Sequence, residues 1–476
     1  MSASDISDNK GLPLVRPKHP PLLDPSFCPA SLSNRFYRKA ASQSDKTVQV
    51  DLALERTDGG VTRWSLPILH SEHPQAKATF IYLERILKFL LWSRGAQRIQ
   101  FAGPKEVAQK LQKHFRSCAT GKFDSRTMGD RIYGKAFEFT LTTAEALPPA
   151  RESTAPLGRN WDGCRLGFDL GASDRKVAAV KNGKAVFTEE YPWDPCNQSD
   201  PAWHLEQIME MLQKAAQHLP RVDAIGGSSA GVIVQNEIKL ASLFRGVPEN
   251  LFDERVKGLF LELRKAWKEI PFEVVNDGEV TALAGSMAIK KNQVLGLAMG
   301  SSLASGYVDG AGHITRWLNE LAFAPIDYNP MAPVDEWSGD YGCGVQYFSQ
   351  QAVARLIPTA GIELDVEMKL PERLVAVQEL MAKGDGRAHQ IYQTLGTYLG
   401  YTLPHYSDYY DFQTVLVLGR VMSGDGGSVI LETARHILKE EFPDFPIQLQ
   451  QPGEKEKRHG QAVAAASLPV IPSSEG

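Results

Sequence analysis

A chain of 476 residues exceeds what one ordinary hydrophobic core holds, so two or three domains with a cleft between them are expected. A formal net charge of −4 gives no bulk attraction to nucleic acid or to an anionic membrane, and neither is expected as a partner. The five cysteines, Cys28, Cys118, Cys164, Cys196 and Cys343, form no CxxC pair, which argues against zinc or a disulfide framework and for reduced thiols in the cytoplasm.

The opening MSASDISDNKGLPLVRP has no apolar run of the signal-peptide kind, and the richest apolar run, Phe80 to Trp92, is interrupted by Glu84, Arg85 and Lys88. A soluble intracellular protein is expected. Residues 1 to about 45 are rich in proline and polar residues, with Pro20 and Pro21 adjacent, and read as an extended arm lying over a surface. Val48, Val50, Leu52 and Leu54 then alternate with polar partners, Asp58-Gly59-Gly60 turns the chain, and Val61 to Leu69 returns as a second strand. An amphipathic helix over Ala76 to Arg94 stops at Gly95; a strand at Ile99 to Ala102 and a helix ending near Phe115 follow. This small α/β unit carries no catalytic constellation and lacks the two short helices of a DNA-binding helix-turn-helix, so a structural or partner-contacting role is expected. Pro148, Pro149, Pro156 and Gly158 mark a linker.

From Cys164 the pattern of strand, hairpin, helix and strand predicts a mixed sheet with helices on its faces. The first strand ends in Asp169, followed by the small-residue turn Gly171-Ala172-Ser173, which lets backbone approach an anion while Asp169 is placed to hold a magnesium ion; a plain hairpin is the simpler alternative. A helix over Trp203 to Leu219 and the strand AIGGSSAG follow. Next comes PFEVVNDGEVTALAGS, a short apolar strand delivering Asn276 and Asp277 to a small-residue helix, and then a strand opening into Gly300-Ser301-Ser302. Asp277 is placed to accept a proton from an attacking hydroxyl and the Gly/Ser loop to face a phosphate, although Asp277-Gly278 also suits a turn that caps the helix. The strand Thr414 to Leu418 opens into GRVMSGDGG and a helix over Ser428 to Glu440, a combination suited to a base, ribose or phosphate.

In this order the motifs resemble the ROK family of sugar kinases and related proteins, within the actin, hexokinase and heat-shock ATPase superfamily, over roughly Leu166 to Pro469. Asp169 to Ser173 looks like the first phosphate motif, Asn276-Asp277 like the catalytic Asn-Asp pair, and Gly300 to Gly306 like the second phosphate motif. Gly419 to Gly424 is similar to the adenosine motif and Gly460 to Ala466 to the closing helix. The resemblance implies an α/β, two-lobed, ribonuclease H-like fold of the actin/hexokinase type with an appended N-terminal segment. Residues 1–155 would be that accessory segment and linker, 156–291 with the closing helix 456–470 the first lobe, and 292–455 the second.

It further implies ATP-dependent transfer of phosphate to a hydroxyl of a sugar or polyol, with ATP and Mg²⁺ as cofactors and a homodimer allowed. Asp277 would take the proton, Asn276 and Glu320 orient the acceptor, and Asp169 hold the metal. Gly171, Ala172, Ser173, Gly300, Ser301 and Ser302 would bind phosphates, and Gly419, Arg420 and Gly424 would pack on adenosine. Two departures stand out. The family's Gly-Glu-x-Gly-His run is matched by Asn319 to Phe323, and a second sugar-binding glutamate by Val345 in Gly342-Cys343-Gly344-Val345, so glucose is expected to be a poor acceptor and zinc is not expected. A binding module that kept the fold and lost turnover is the competing reading; a sugar-responsive regulator ranks third.

Overall fold

The computed structural model describes residues 6–9, 12–152, 157–452 and 460–472; the linker position Pro156 lies outside them. A short antiparallel ribbon, β1 (Ile6–Asn9) and β2 (Leu12–Val15), leads into helix Ala30–Ser42. The arm is therefore not a surface strap: Leu12, Leu14, Phe27 and Tyr37 are buried. Composition misleads here because prolines fix the path of a chain without saying what its intervening apolar residues touch. The next four strands, β3 (Thr47–Glu55), β4 (Val61–Leu69), β5 (Arg98–Ala102) and β6 (Glu138–Thr142), form a sheet in the order β4-β3-β5-β6, with only the last pair parallel.

Helix Thr79–Arg94 was expected to show a polar face to water. Instead every residue from Tyr82 to Arg94 is buried, charged ones included, because the polar stripe is satisfied inside the protein. Arg85 bonds Glu84 and Asp340, the latter at 2.9 Å, and Lys88 lies 2.9 Å from Asp124 and 3.1 Å from Asp340. Tyr37, Phe89, Trp92, Tyr328, Tyr398 and Tyr406 share one continuous core, so the N-terminal segment and the sheet of residues 294–450 pack as a unit.

The first ATPase-like sheet comprises β7 (Cys164–Leu170), β8 (Asp174–Lys181), β9 (Lys184–Pro192), β10 (Ala224–Ser229) and β13 (Phe272–Asn276), ordered β13-β10-β7-β8-β9, with a ribbon of β11 (Val232–Val234) and β12 (Glu237–Leu240) beside it. β7, β10 and β13 run parallel while β8 and β9 return antiparallel. This is the order 3-2-1-4-5 of a ribonuclease H-like sheet. The second sheet repeats the plan without the third strand: β14 (Val294–Met299), β15 (Leu303–Val308), β16 (Thr414–Leu418) and β17 (Gln448–Gln450), ordered β15-β14-β16-β17. Helix Gly460–Ala466 crosses the first sheet at Gly167 and Gly226, where any side chain would run into the carbonyls of Ala462 and Ala465. Helix Asp277–Ile289 leaves the first sheet and lies against β15, where Gly306 leaves room for the Gly278 carbonyl. These contacts bring the ends of the two sheets together.

Candidate active site

The three parallel strands of the first sheet end side by side, and their register sets Asp169 beside Ser228 and Ser229 beside Asn276. Asn276 is extended and caps the helix that follows: its Oδ1 accepts from the Gly278 N–H at 2.7 Å, and its Nδ2 donates to the Gly231 carbonyl at 2.8 Å. Capping thus falls to Asn276. Asp277, in the first turn, makes no ion pair or side-chain hydrogen bond among the described residues. Burial and the nearby negative charge of Asp169 push its carboxyl up to about 6, against the opposing pull of the amides at the helix start.

Asp169 accepts from the Ser228 hydroxyl at 2.6 Å and lies 3.6 Å from Lys176 Nζ, which pairs with Asp174 at 2.7 Å. Burial outweighs these partners and raises its pKa. Glu320 is lifted to about 7 by burial and by Asp277. Glu279 goes up to about 8 through burial, even though Asn319 donates to it at 2.9 Å. Glu273, also raised by burial, is held by Arg316 at 3.1 Å. The site is a cluster of carboxyls whose pKa values are all raised, with Asp277, Glu320 and Glu279 at about 6, 7 and 8, so that these three can accept and donate protons near neutral pH with little driving force either way.

Around it are backbone donors. The turn Gly171-Ala172-Ser173 joins β7 to β8, and the turn Gly300-Ser301-Ser302 joins β14 to β15. Ala172, Ser173, Ser301 and Ser302 are exposed, and among the described residues their amides donate to no backbone carbonyl. Such turns can receive an anion without first breaking a bond. Gly419 and Gly424, both with positive φ (101° and 71°), bracket the exposed Arg420 ahead of helix Asp425–Glu441. Nothing crowds the outer face of Gly424, whereas Gly419 is pressed against the Met299 carbonyl, where a side chain would not fit. For a divalent cation, Asp169 is a buried carboxylate two residues before the Gly171-Ala172-Ser173 turn; no group of three or more candidate ligands occurs among the described residues, so bound phosphate and water would complete any shell.

Glu273, Glu279, Lys176 and Ser228 were not picked out by sequence reasoning. Glu279 carried a signal, two residues after Asp277 on the same helix; Lys176 and Ser228 are placed only by strand register. The two departures also take a different meaning. Phe323 packs on Trp92 and Phe123 of the N-terminal segment, with ring centroids 4.2 and 5.8 Å apart, and Val345 lies in the core. Neither lines the crevice beside Asn276 and Glu320, so what these positions take from the site is two polar contacts rather than adding an apolar wall. Asn319, at the position of the family's first glycine, has φ 53°, a conformation asparagine tolerates better than most residues.

Glu279 binds a proton in the folded chain up to about pH 8 but only to about 4.5 when unfolded. The folded state therefore holds more protons between those values, and stability falls as pH rises through that window. Glu279→Gln, which keeps the acceptor for Asn319, is expected to gain on the parent in urea denaturation between pH 5 and 8. A difference that stays constant with pH would show that Glu279 titrates normally.

These strand ends and turns define a two-lobed ATPase-type fold with carboxylates at the edge of one sheet and open amides beside them. No protein-family model and no curated relative matches the chain. Among solved structures, it is similar to a ROK family transcriptional regulator, a homolog of the E. coli MLC protein, at 19% identity and TM-score 0.51, covering 65% of this chain and 78% of that one. It is also similar to a ROK hexokinase from Thermus thermophilus (20% identity, TM-score 0.49, 63% and 97% covered) and to a ROK family glucokinase from Streptomyces griseus in complex with glucose and AMPPNP (19%, 0.47, 64% and 99%). The chain has the fold of the ROK proteins over about two thirds of its length. No described helix is long and apolar enough to cross a membrane.

Proposed function

We propose that this chain belongs with the ROK proteins in function as well as fold, and acts as an ATP-dependent phosphotransferase on a hydroxyl of a sugar or polyol. The observation that carries this is Asp277: a carboxylate with no side-chain partner among the described residues, held only by the amides at the start of its helix and poised near neutrality, beside a second buried carboxylate and following the strand Phe272–Asn276. Had Asp277 merely capped its helix, it would occupy the place that Asn276 takes.

In this reading ATP with Mg²⁺ supplies the phosphoryl group. Ser173 and Ser301-Ser302 bind phosphates through backbone and hydroxyl, Asp169 holds the metal side, and Arg420 with Gly424 borders the adenosine. Asp277 would take the acceptor's proton as the acceptor oxygen bonds the γ-phosphorus and the bond to the leaving ADP breaks, and Glu320, whose carboxyl bonds no described residue, would fix the acceptor. Asn276 retains one amide hydrogen for the acceptor after its cap and Gly231 bonds. Positioning and charge neutralisation then provide most of the rate.

One observation favours a nucleotide binder without turnover: Lys176 already neutralises Asp169 and Asp174, where a cation would have to enter. MgATP distinguishes the readings. It is expected to raise the melting temperature, with about 2.7 kcal/mol added at a hundred times Kd, and to do so less in the absence of Mg²⁺. A shift identical with and without Mg²⁺, and no phosphate transfer to any of a panel of sugars and polyols, would favour the binder. No shift at millimolar nucleotide would defeat both.

A further inference from the structure

The crevice beside Asn276 and Glu320 is not built by the two ATPase-like lobes alone. Its wall includes Tyr133 from the N-terminal segment, and also Gln235, Thr315 and Glu279. Tyr133 is 9% exposed and lies in a short π-helical stretch, Thr127–Tyr133, ending at Gly134 in the left-handed conformation. Its hydroxyl stands against Gly95, where any Cβ would collide with it, and among the described residues it has no hydrogen-bond partner. Thr315 Oγ1 is buried and equally without a partner. Glu320, on the same wall, also offers a carboxyl that bonds no described group.

A buried hydroxyl left unbonded, as at Thr315, costs free energy unless something else satisfies it, while the Tyr133 hydroxyl keeps some access to solvent and is free to exchange water for a ligand; π-helical turns are rare and frequent at functional sites. Two hydroxyls and a carboxyl on one wall, none of them bonded to a described residue, suit an oxygen-rich partner. We propose that Tyr133 and Thr315 are specificity-determining residues of the acceptor site, hydrogen-bonding oxygen substituents remote from the hydroxyl that reacts. The N-terminal segment then takes part in choosing the substrate. The ligand class is a polyhydroxylated molecule, since the wall offers hydroxyls at Tyr133 and Thr315, the Glu320 carboxyl and the guanidinium groups of Arg56 and Arg316, a mixture of donors and acceptors with both signs of charge. Which hydroxyl reacts rests on the phosphotransferase reading; the binding does not.

The experiment is calorimetric binding of hexoses, hexitols and their deoxy analogues to the full chain with nucleotide present, for the parent, Tyr133→Phe and Thr315→Val. Each variant removes one hydrogen-bonding group at nearly constant shape and is expected to melt like the parent. Affinity for the best acceptor should fall about 3- to 10-fold in each. The fall should vanish for the analogue that lacks the partnered oxygen, which a purely structural role would not produce. Where turnover occurs, the effect should fall on KM more than on kcat. Variants that bind the whole panel as the parent does overturn this proposal and leave the phosphotransferase reading standing. A parent that binds nucleotide but no member of the panel overturns the acceptor class and this proposal with it.

Discussion

Asp277→Asn is expected to lower phosphotransfer by about two to four orders of magnitude while leaving nucleotide affinity and the folded state nearly unchanged. The amide is isosteric, so it fills the same space at the first turn of its helix, and Asn276 keeps the cap. What disappears is a carboxylate with no side-chain partner among the described residues. Folding should not suffer, because a carboxyl already pushed up to about 6 by burial and by Asp169 is a cost to the folded chain above that pH, and the neutral amide removes it. The parent's kcat/KM should therefore fall as pH drops through about 6, where Asp277 takes up a proton and can no longer accept one from the acceptor. Single-turnover rates with saturating MgATP check the first expectation, and a pH series of kcat/KM checks the second. Parental turnover by Asp277→Asn would leave Asp277 as a helix-start residue with no chemical role.

The part of this site that could be read from the sequence is the part built from consecutive residues. Asp169 with its small-residue turn, Asn276-Asp277, Gly300 to Ser302 and Gly419 to Gly424 each sit where a strand ends, and alternating or continuous apolar runs betray strand ends well. The ribonuclease H-like fold was implied by the family resemblance that these segments carry. What the sequence withheld depends on contacts between distant segments. Phe323 looked like a lost polar contact because nothing local says that Trp92 and Phe123 come to cover it. Helix Thr79–Arg94 looked amphipathic because Glu84, Arg85 and Lys88 are charged, and charge predicts exposure unless partners arrive from elsewhere. Here they arrive from Asp124 and from Asp340, some 250 residues away in the chain. Tyr133 carried no periodic signal at all, since a π-helical turn breaks the spacing on which helix faces are recognised.

That buried network gives the largest expected effect on stability. Lys88 is 1% exposed and bonded to Asp124 at 2.9 Å, while Asp340 lies 3.1 Å from it and accepts two bonds from Arg85. The paired cations hold Asp340 well below the usual carboxylate range, and the two carboxylates keep Lys88 charged despite complete burial. Replacing Lys88 by methionine fills the volume but leaves Asp124 with the Trp92 indole as its one remaining donor. Breaking a buried pair from one side costs about 3–5 kcal/mol, because an uncompensated charge stays behind. The deficit should shrink at acid pH, where Asp124, already raised by burial, can take a proton and cease to be a charge. It should shrink as well in the double variant Lys88→Met with Asp124→Asn, since that removes the stranded carboxylate outright. Because the network ties helix Thr79–Arg94 to the segment holding Asp340, and Phe89 stacks on Tyr409 with centroids 3.9 Å apart, a chain beginning at residue 157 should lose the fold of its second sheet. Urea denaturation at pH 5 and 7 measures the first three expectations, and soluble yield with limited proteolysis the last. Parental stability of Lys88→Met at both pH values, or a truncated chain that resists proteolysis and binds nucleotide, would mean that the N-terminal segment is joined to the lobes by packing too weak to matter.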